Sequence, residues 1–143
     1  MAKSTKKLVL EIEPDYDFRL MGIVCSQPGY KLGWLFNQSL NFDLSRDEDI
    51  EVHLPRKKEI ACFEFYQFKD DEQRLEYYFL SNKSLGNYLV AEMKQVDYWL
   101  LIKGLFENLN EPRLLAKVKA IQQIQTAFYL DIESLKSKEN LIF

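Results

Sequence analysis

The hydrophobic and polar positions of this chain follow a period of two in several short segments and helical spacing in others. Residues 7–12, KLVLEI, set Leu8, Leu10 and Ile12 on one face, and Pro14 closes the run, which predicts a strand. From Asp17 onward, Phe18, Met21 and Cys25 recur at helical spacing, as do Leu20, Ile23 and Val24. A short helix is expected here, with an extended Ile23–Cys25 as the alternative. Pro28-Gly29 breaks the pattern, and a second helix is expected over 30–40, with Leu32, Leu35 and Phe36 on one side and Asn41 as its stop.

Ile50, Val52 and Leu54 alternate with Glu51 and His53, a short strand that Pro55 confines to an edge or ends. EIACFEFYQF and RLEYYFLS flank the polar KDDEQ and read as a hairpin. Phe63 and Phe65 face one way and Tyr66 and Phe68 the other, so both faces of this ribbon need cover. NKSLGN reads as a loop. DYWLLIKGLF, residues 97–106, has too little polar relief for a half-exposed strand and is expected to be central, with Gly104 at a bulge or a close approach. Asn110 can cap a helix whose stripe is Leu114, Leu115, Val118 and Ile121, and QTAFYLDI supplies a final strand. The unit 97–132 is expected to be a right-handed parallel crossover. Together these elements predict one α+β domain over residues 1–143, a two-layer sandwich with a mostly antiparallel sheet and helices on one face. Residues 1–6 are expected to be a disordered tail. The nearest arrangements are the ferredoxin-like and ligand-sensing ones, by analogy.

Composition narrows the class. The 143 residues are 47% hydrophobic and 14% aromatic, enough apolar surface for a core without disulfides or metal. A net charge of −3 disfavours broad nucleic-acid binding. No run approaches the length of a membrane span, no secretory leader is legible, and a cytoplasmic location is expected. Cys25 and Cys62 are expected to be buried free thiols.

Chemistry is sparse. His53 is the sole histidine and has no nucleophile motif around it. Cys25, His53 and Cys62 make no zinc spacing, and Asp47, Glu48, Asp49 and Glu51 lack the pattern of a calcium loop. There is no phosphate-cradling glycine loop. Arg56-Lys57-Lys58 beside the aromatic strand has no RNA-binding signature with it. No catalytic residue, metal ligand or cofactor is assigned.

The stretch VAEMKQVDYWLLIKG, residues 90–104, is the exception that raises a functional question. Glu92 and Asp97 could pair for acid–base work. The better reading is that they serve the backbone at the start of a strand, with the Tyr98 ring in the core and its hydroxyl at the rim.

LVAEMKQVDY, residues 89–98, resembles the signature of the IPExxxVDY family, small bacterial proteins found mainly in Bacteroidetes. Glu92, Val96, Asp97 and Tyr98 match; Val90 stands for the usual Ile and Ala91 for the usual Pro. DYDFRLMGI, YKLGWLFNQSL, LSNKS, QTAFYLDI and KSKENLIF are similar to that family as well. The resemblance implies a bacterial cytoplasmic protein and carries no catalytic residue. It suggests that Glu92–Tyr98 and Lys136–Phe143 meet at one edge of the sheet, with Lys136 or Lys138 near Asp97 or Glu92. Glu92, Asp97, Tyr98, Lys138, Glu139 and Asn140 are therefore the candidate binding residues. The expected role is a non-catalytic protein-interaction or regulatory module, with a protein partner or a second copy of the chain. The alternative is a small-molecule sensor holding its ligand between sheet and helices or at a dimer interface.

Overall fold

A computed structural model describes residues 17–54 and 57–143; the strand expected over 7–12, the tail 1–6 and Pro55 lie outside them. Among the described residues, two α-helices, α1 (Gly29–Leu40) and α2 (Glu111–Lys119), accompany ten strands. The strands are β1 (Arg19–Val24), β2 (Ser45–Arg46), β3 (Ile50–Leu54), β4 (Glu59–Phe63), β5 (Phe65–Asp70), β6 (Leu75–Ser81), β7 (Lys83–Ser84), β8 (Asn87–Tyr88), β9 (Tyr98–Gly104) and β10 (Thr126–Leu130). The main sheet has six strands in the order β10-β1-β9-β6-β5-β2, and each pairing is antiparallel.

The first expected helix is a strand. Residues 19–24 form β1, with β9 on one side and β10 on the other. Such a strand is buried on both faces, so its sequence loses the alternation that marks half-exposed strands and becomes one apolar run. Leu20 points to one face, while Met21 and Ile23 point to the other. The helical spacing of these residues was a by-product of that continuous run.

β9 is the doubly covered central strand that its composition predicts: Leu100 and Ile102 enter one core, Trp99 and Leu101 the other. β9 and β10 run parallel, since each is antiparallel to the β1 strand between them, and α2 makes the crossover. Leaving out β2 to β5 and the small β7–β8 pair, the sequence β1-α1-β6-β9-α2-β10 with spatial order β10-β1-β9-β6 is the split βαβ arrangement of ferredoxin-like folds.

Both helices pack on one face of this sheet. Leu32, Phe36 and Leu40 of α1 and Leu114 and Val118 of α2 join Met21, Phe79 and Leu100 in a single core. α1 stops at Asn41, which takes the left-handed conformation (φ 59°) that asparagine tolerates. α2 starts at Asn110, whose side-chain oxygen accepts the Arg113 amide at 3.1 Å.

The opposite face has a core of its own. EIACFEFYQF is two strands: the chain changes sheets at Glu64, so that β4 pairs with β3 in a separate ribbon while β5 pairs with β6. Ala61 and Phe63 of that ribbon pack with Leu80, Trp99 and Leu101, and with Leu89, Val90, Val96, Leu135 and Leu141 from the connecting and C-terminal segments. Because β4 turns Ala61 and Phe63 inward, its alternate residue Cys62 points outward. Cys25 is buried as expected, but Cys62 is exposed. The expected NKSLGN loop is a small hairpin of β7 and β8, turning through Leu85-Gly86 with φ of 49° and 81°.

Candidate functional site

The segment 82–97 leaves β6 and returns to β9, and one buried side chain organises it. Asn82 has no exposed surface. Its amide nitrogen donates to the Met93 carbonyl at 3.0 Å and the Val96 carbonyl at 2.8 Å. Its side-chain oxygen accepts the Val90 amide at 2.8 Å and the Trp99 indole N–H at 2.9 Å. The two donors and two acceptor positions of a carboxamide are thereby all used. Trp99 lies across Gly22 of β1, where an added Cβ would stand 3.2 Å from the indole ring. Sequence reasoning passed over Asn82; its only signal was an amide placed at the end of an aromatic strand.

Glu92 and Asp97 are engaged by the fold itself. Asp97 accepts the Cys25 amide at 2.8 Å through one oxygen and the Lys83 ammonium at 2.7 Å through the other. Its main-chain amide donates to the Ile23 carbonyl at 2.9 Å. It thus fixes the end of β1 against the start of β9. Glu92 accepts the Ser137 amide at 2.7 Å and the Ser137 hydroxyl at 2.8 Å. Partial burial pushes the Glu92 carboxyl up, but the hydrogen bonds from Ser137 and from the Lys136 amide outweigh it and hold its pKa below the usual glutamate value. The Tyr98 ring stacks on Phe79 and its hydroxyl donates to the Gln27 carbonyl at 2.7 Å, so ring and hydroxyl lie as the sequence suggested. Burial first, then the nearby Glu64 charge, raises the Tyr98 pKa well above the ordinary tyrosine range.

The two distinctive segments do meet, but over the helix-free face and not at an edge of the sheet. Leu89 and Val90 share a core with Leu135 and Leu141, and the Asn140 side chain donates to the Leu89 carbonyl at 2.8 Å. The expected lysine approach is met by Lys136, which lies at Glu92, and not by Lys138. A short 3₁₀ turn over Lys138–Leu141 carries the Lys138 ammonium to Glu133 at 2.7 Å. Lys136 approaches Glu92 through its main chain, and the cation at Asp97 is Lys83. Glu139 is exposed. Of the six candidate residues, four act as ties between segments: Glu92, Asp97, Tyr98 and Asn140.

Two other surfaces have free valence. Tyr30 and Trp34 stand one turn apart on the outer side of α1, 72% and 57% exposed. Between α2 and the far end of β5 and β6 lies an open groove of about 450 Å³. Phe42, Phe68 and Tyr77 form its aromatic side, with ring centroids of Phe42 and Tyr77 4.3 Å apart. Arg113 and Lys117 stand on its α2 side. Among the described residues no cluster of three His, Cys, Asp or Glu side chains is placed to hold a metal ion, and no helix is long and apolar enough to cross a membrane. No family model matches the sequence, and no curated protein matches it.

Proposed function

We propose that this chain is a non-catalytic protein-interaction module and that it meets its partner through the outer face of α1. The observation that carries this reading is the exposed Tyr30–Trp34 pair. Trp and Tyr are the side chains most enriched where protein contacts concentrate their binding energy. Leaving both rings in water forgoes a burial worth roughly 1.5–3 kcal/mol for each large apolar side chain. Lys31 is the only charged residue of α1, so a partner would meet little desolvation penalty there. Leu85, 99% exposed at the tip of the β7–β8 turn, is a second apolar group offered to solvent.

The engagement of Glu92 and Asp97 by internal donors supports a role without acid–base chemistry. Membership of the IPExxxVDY family, and with it a bacterial and cytoplasmic setting, is part of the same proposal. Its support is the spacing of Glu92, Val96, Asp97 and Tyr98. The alternative, a small-molecule sensor with its ligand between sheet and helices, draws its support from the groove beside α2.

The test compares wild type with a Tyr30→Ser/Trp34→Ser variant by light-scattering mass and by affinity capture. Self-association, or a captured protein, that disappears in the variant supports the reading. A monomeric wild type that captures the same proteins as the variant defeats it.

A further inference from the structure

We propose that the groove between α2 and the β5–β6 end of the sheet binds a small organic anion built on an aromatic ring. This site is separate from the outer face of α1 and does not depend on the protein-interaction reading. Its volume of about 450 Å³ lies within the range of small-molecule sites.

Three features specify the ligand. The first is the aromatic side. Phe68 and Tyr77 lie with ring planes 10° apart and centroids 5.8 Å apart, and Phe42 tilts against both. These rings offer a flat ligand edge and face contacts. The second is charge. Arg113 and Lys117 are one turn apart on α2, and neither forms an ion pair with a described residue. The one carboxylate on the rim, Asp70, accepts the Gln73 amide at 3.2 Å within the β5–β6 turn. The groove is therefore locally cationic on a chain whose net charge is −3.

The third feature is Tyr77. This residue is only 6% exposed, yet its hydroxyl makes no hydrogen bond to a described residue. No fully buried side-chain polar atom among the described residues lacks a partner, so the hydroxyl must retain contact with solvent, and the groove is the space that Tyr77 lines. Burial, and then the Asp70 charge, raises its pKa, which keeps it protonated and able to donate. A donor unused among the described residues, beside stacked rings and two cations without an ion-pair partner among them, matches a ligand with a ring and an anionic group. The guanidinium of Arg113 suits a carboxylate, sulfonate or phosphate oxygen pair.

Anilinonaphthalene sulfonate is the probe, because it joins an aromatic system to one anionic group and reports binding by fluorescence. Its uncharged analogue, N-phenylnaphthylamine, tests the anion requirement. Wild type should bind the sulfonate saturably at one dye per chain, with amide shifts centred on Phe42, Phe68, Tyr77 and Arg113. The Arg113→Gln/Lys117→Gln variant should bind about tenfold more weakly, the loss expected for charge-assisted contacts, with an unchanged melting temperature because both side chains are exposed. Tyr77→Phe should weaken binding about threefold while leaving the fold intact. The proposal fails if binding does not saturate. It also fails if the double variant binds like wild type, if the uncharged analogue binds as tightly, or if the shifts lie elsewhere.

Discussion

Glu92 and Ser137, 45 positions apart in sequence, are joined by two hydrogen bonds, one from the Ser137 amide at 2.7 Å and one from its hydroxyl at 2.8 Å. The pair closes the C-terminal segment over the connection between β6 and β9. Glu92→Gln keeps one acceptor oxygen and loses the other, so stability at neutral pH should fall by about 1 kcal/mol. The pH dependence is a sharper test. The folded state depresses the Glu92 pKa, so its contribution is complete above the ordinary glutamate value, about 4.3, and disappears as pH falls through the lower folded value. Urea melts between pH 6 and about 2.5 should therefore converge for wild type and Glu92→Gln at the acid end. A gap that persists unchanged there would mean that the carboxylate charge contributes nothing.

Asn82 is the position where a single change should do most damage. Asn82→Ala removes both donors and the acceptor, leaving the Val90 amide and the Trp99 indole N–H without their partner in a closed interior. Each orphaned group costs about 1–3 kcal/mol, so a loss of roughly 3–5 kcal/mol is expected. Asn82→Asp should be no better, because its carboxylate would face the Met93 and Val96 carbonyls. Chemical denaturation checks both variants. An Asn82→Ala loss below about 1 kcal/mol would show that the connection is held by its apolar contacts alone.

The parts of the fold that the sequence disclosed are those with a signal local in sequence. The α2 stripe repeats because water meets one side of the helix, KDDEQ marks the turn between β5 and β6 although β6 is buried on both faces, and Asn41 and Asn110 mark helix ends by local backbone chemistry. β1 was misread because neighbours on both sides and cover on both faces removed the alternation. The strand EIACFEFYQF was not seen to divide because the change of sheet at Glu64 depends on partners distant in sequence, β3 for one half and β6 for the other. The site followed the same division. The signature at residues 92–98 drew attention to Glu92 and Asp97, but their partners Ser137, Cys25 and Lys83 come from tertiary structure. The groove was unreadable for the same reason: Phe42, Tyr77 and Arg113 come together only when α2 crosses the sheet.

Gly104, at the end of β9, has a φ of 122°, and a Cβ there would come within 2.2 Å of the Arg74 carbonyl oxygen across the β6 pairing. Rigid backbone, not a movable side chain, occupies that space. Gly104→Ala should destabilise the protein by about 1–3 kcal/mol through strain and local separation of the strands. Amide exchange should accelerate around Leu75 and Leu105 before the rest of the sheet is affected. Wild-type stability with unchanged protection would contradict the close approach.

Cys25 and Cys62 should differ greatly in reactivity, and the difference reports on Asp97. Cys62 is exposed on the outer side of β4 and should react with iodoacetamide as a free thiol does. Cys25 is buried, its thiol donates to the Gln123 carbonyl at 3.2 Å, and burial more than any other influence pushes its pKa up. Both effects leave little accessible thiolate, so Cys25 should be labelled only when the end of β1 opens. Asp97 resists that opening, because its carboxylate accepts the Cys25 amide while its main-chain amide binds Ile23. Asp97→Ala should therefore speed Cys25 labelling by about tenfold or more, equivalent to losing roughly 1.4 kcal/mol or more of local stability, and leave Cys62 unchanged. Lys83→Met should have a much smaller effect, since its ion pair with Asp97 is partly solvated and worth at most about 1 kcal/mol. Mass spectrometry of the two labelled peptides over time separates these outcomes. Equal rates at Cys25 and Cys62 in wild type would overturn the burial of Cys25, and an Asp97→Ala rate matching wild type would remove Asp97 from its place as the tie between β1 and β9.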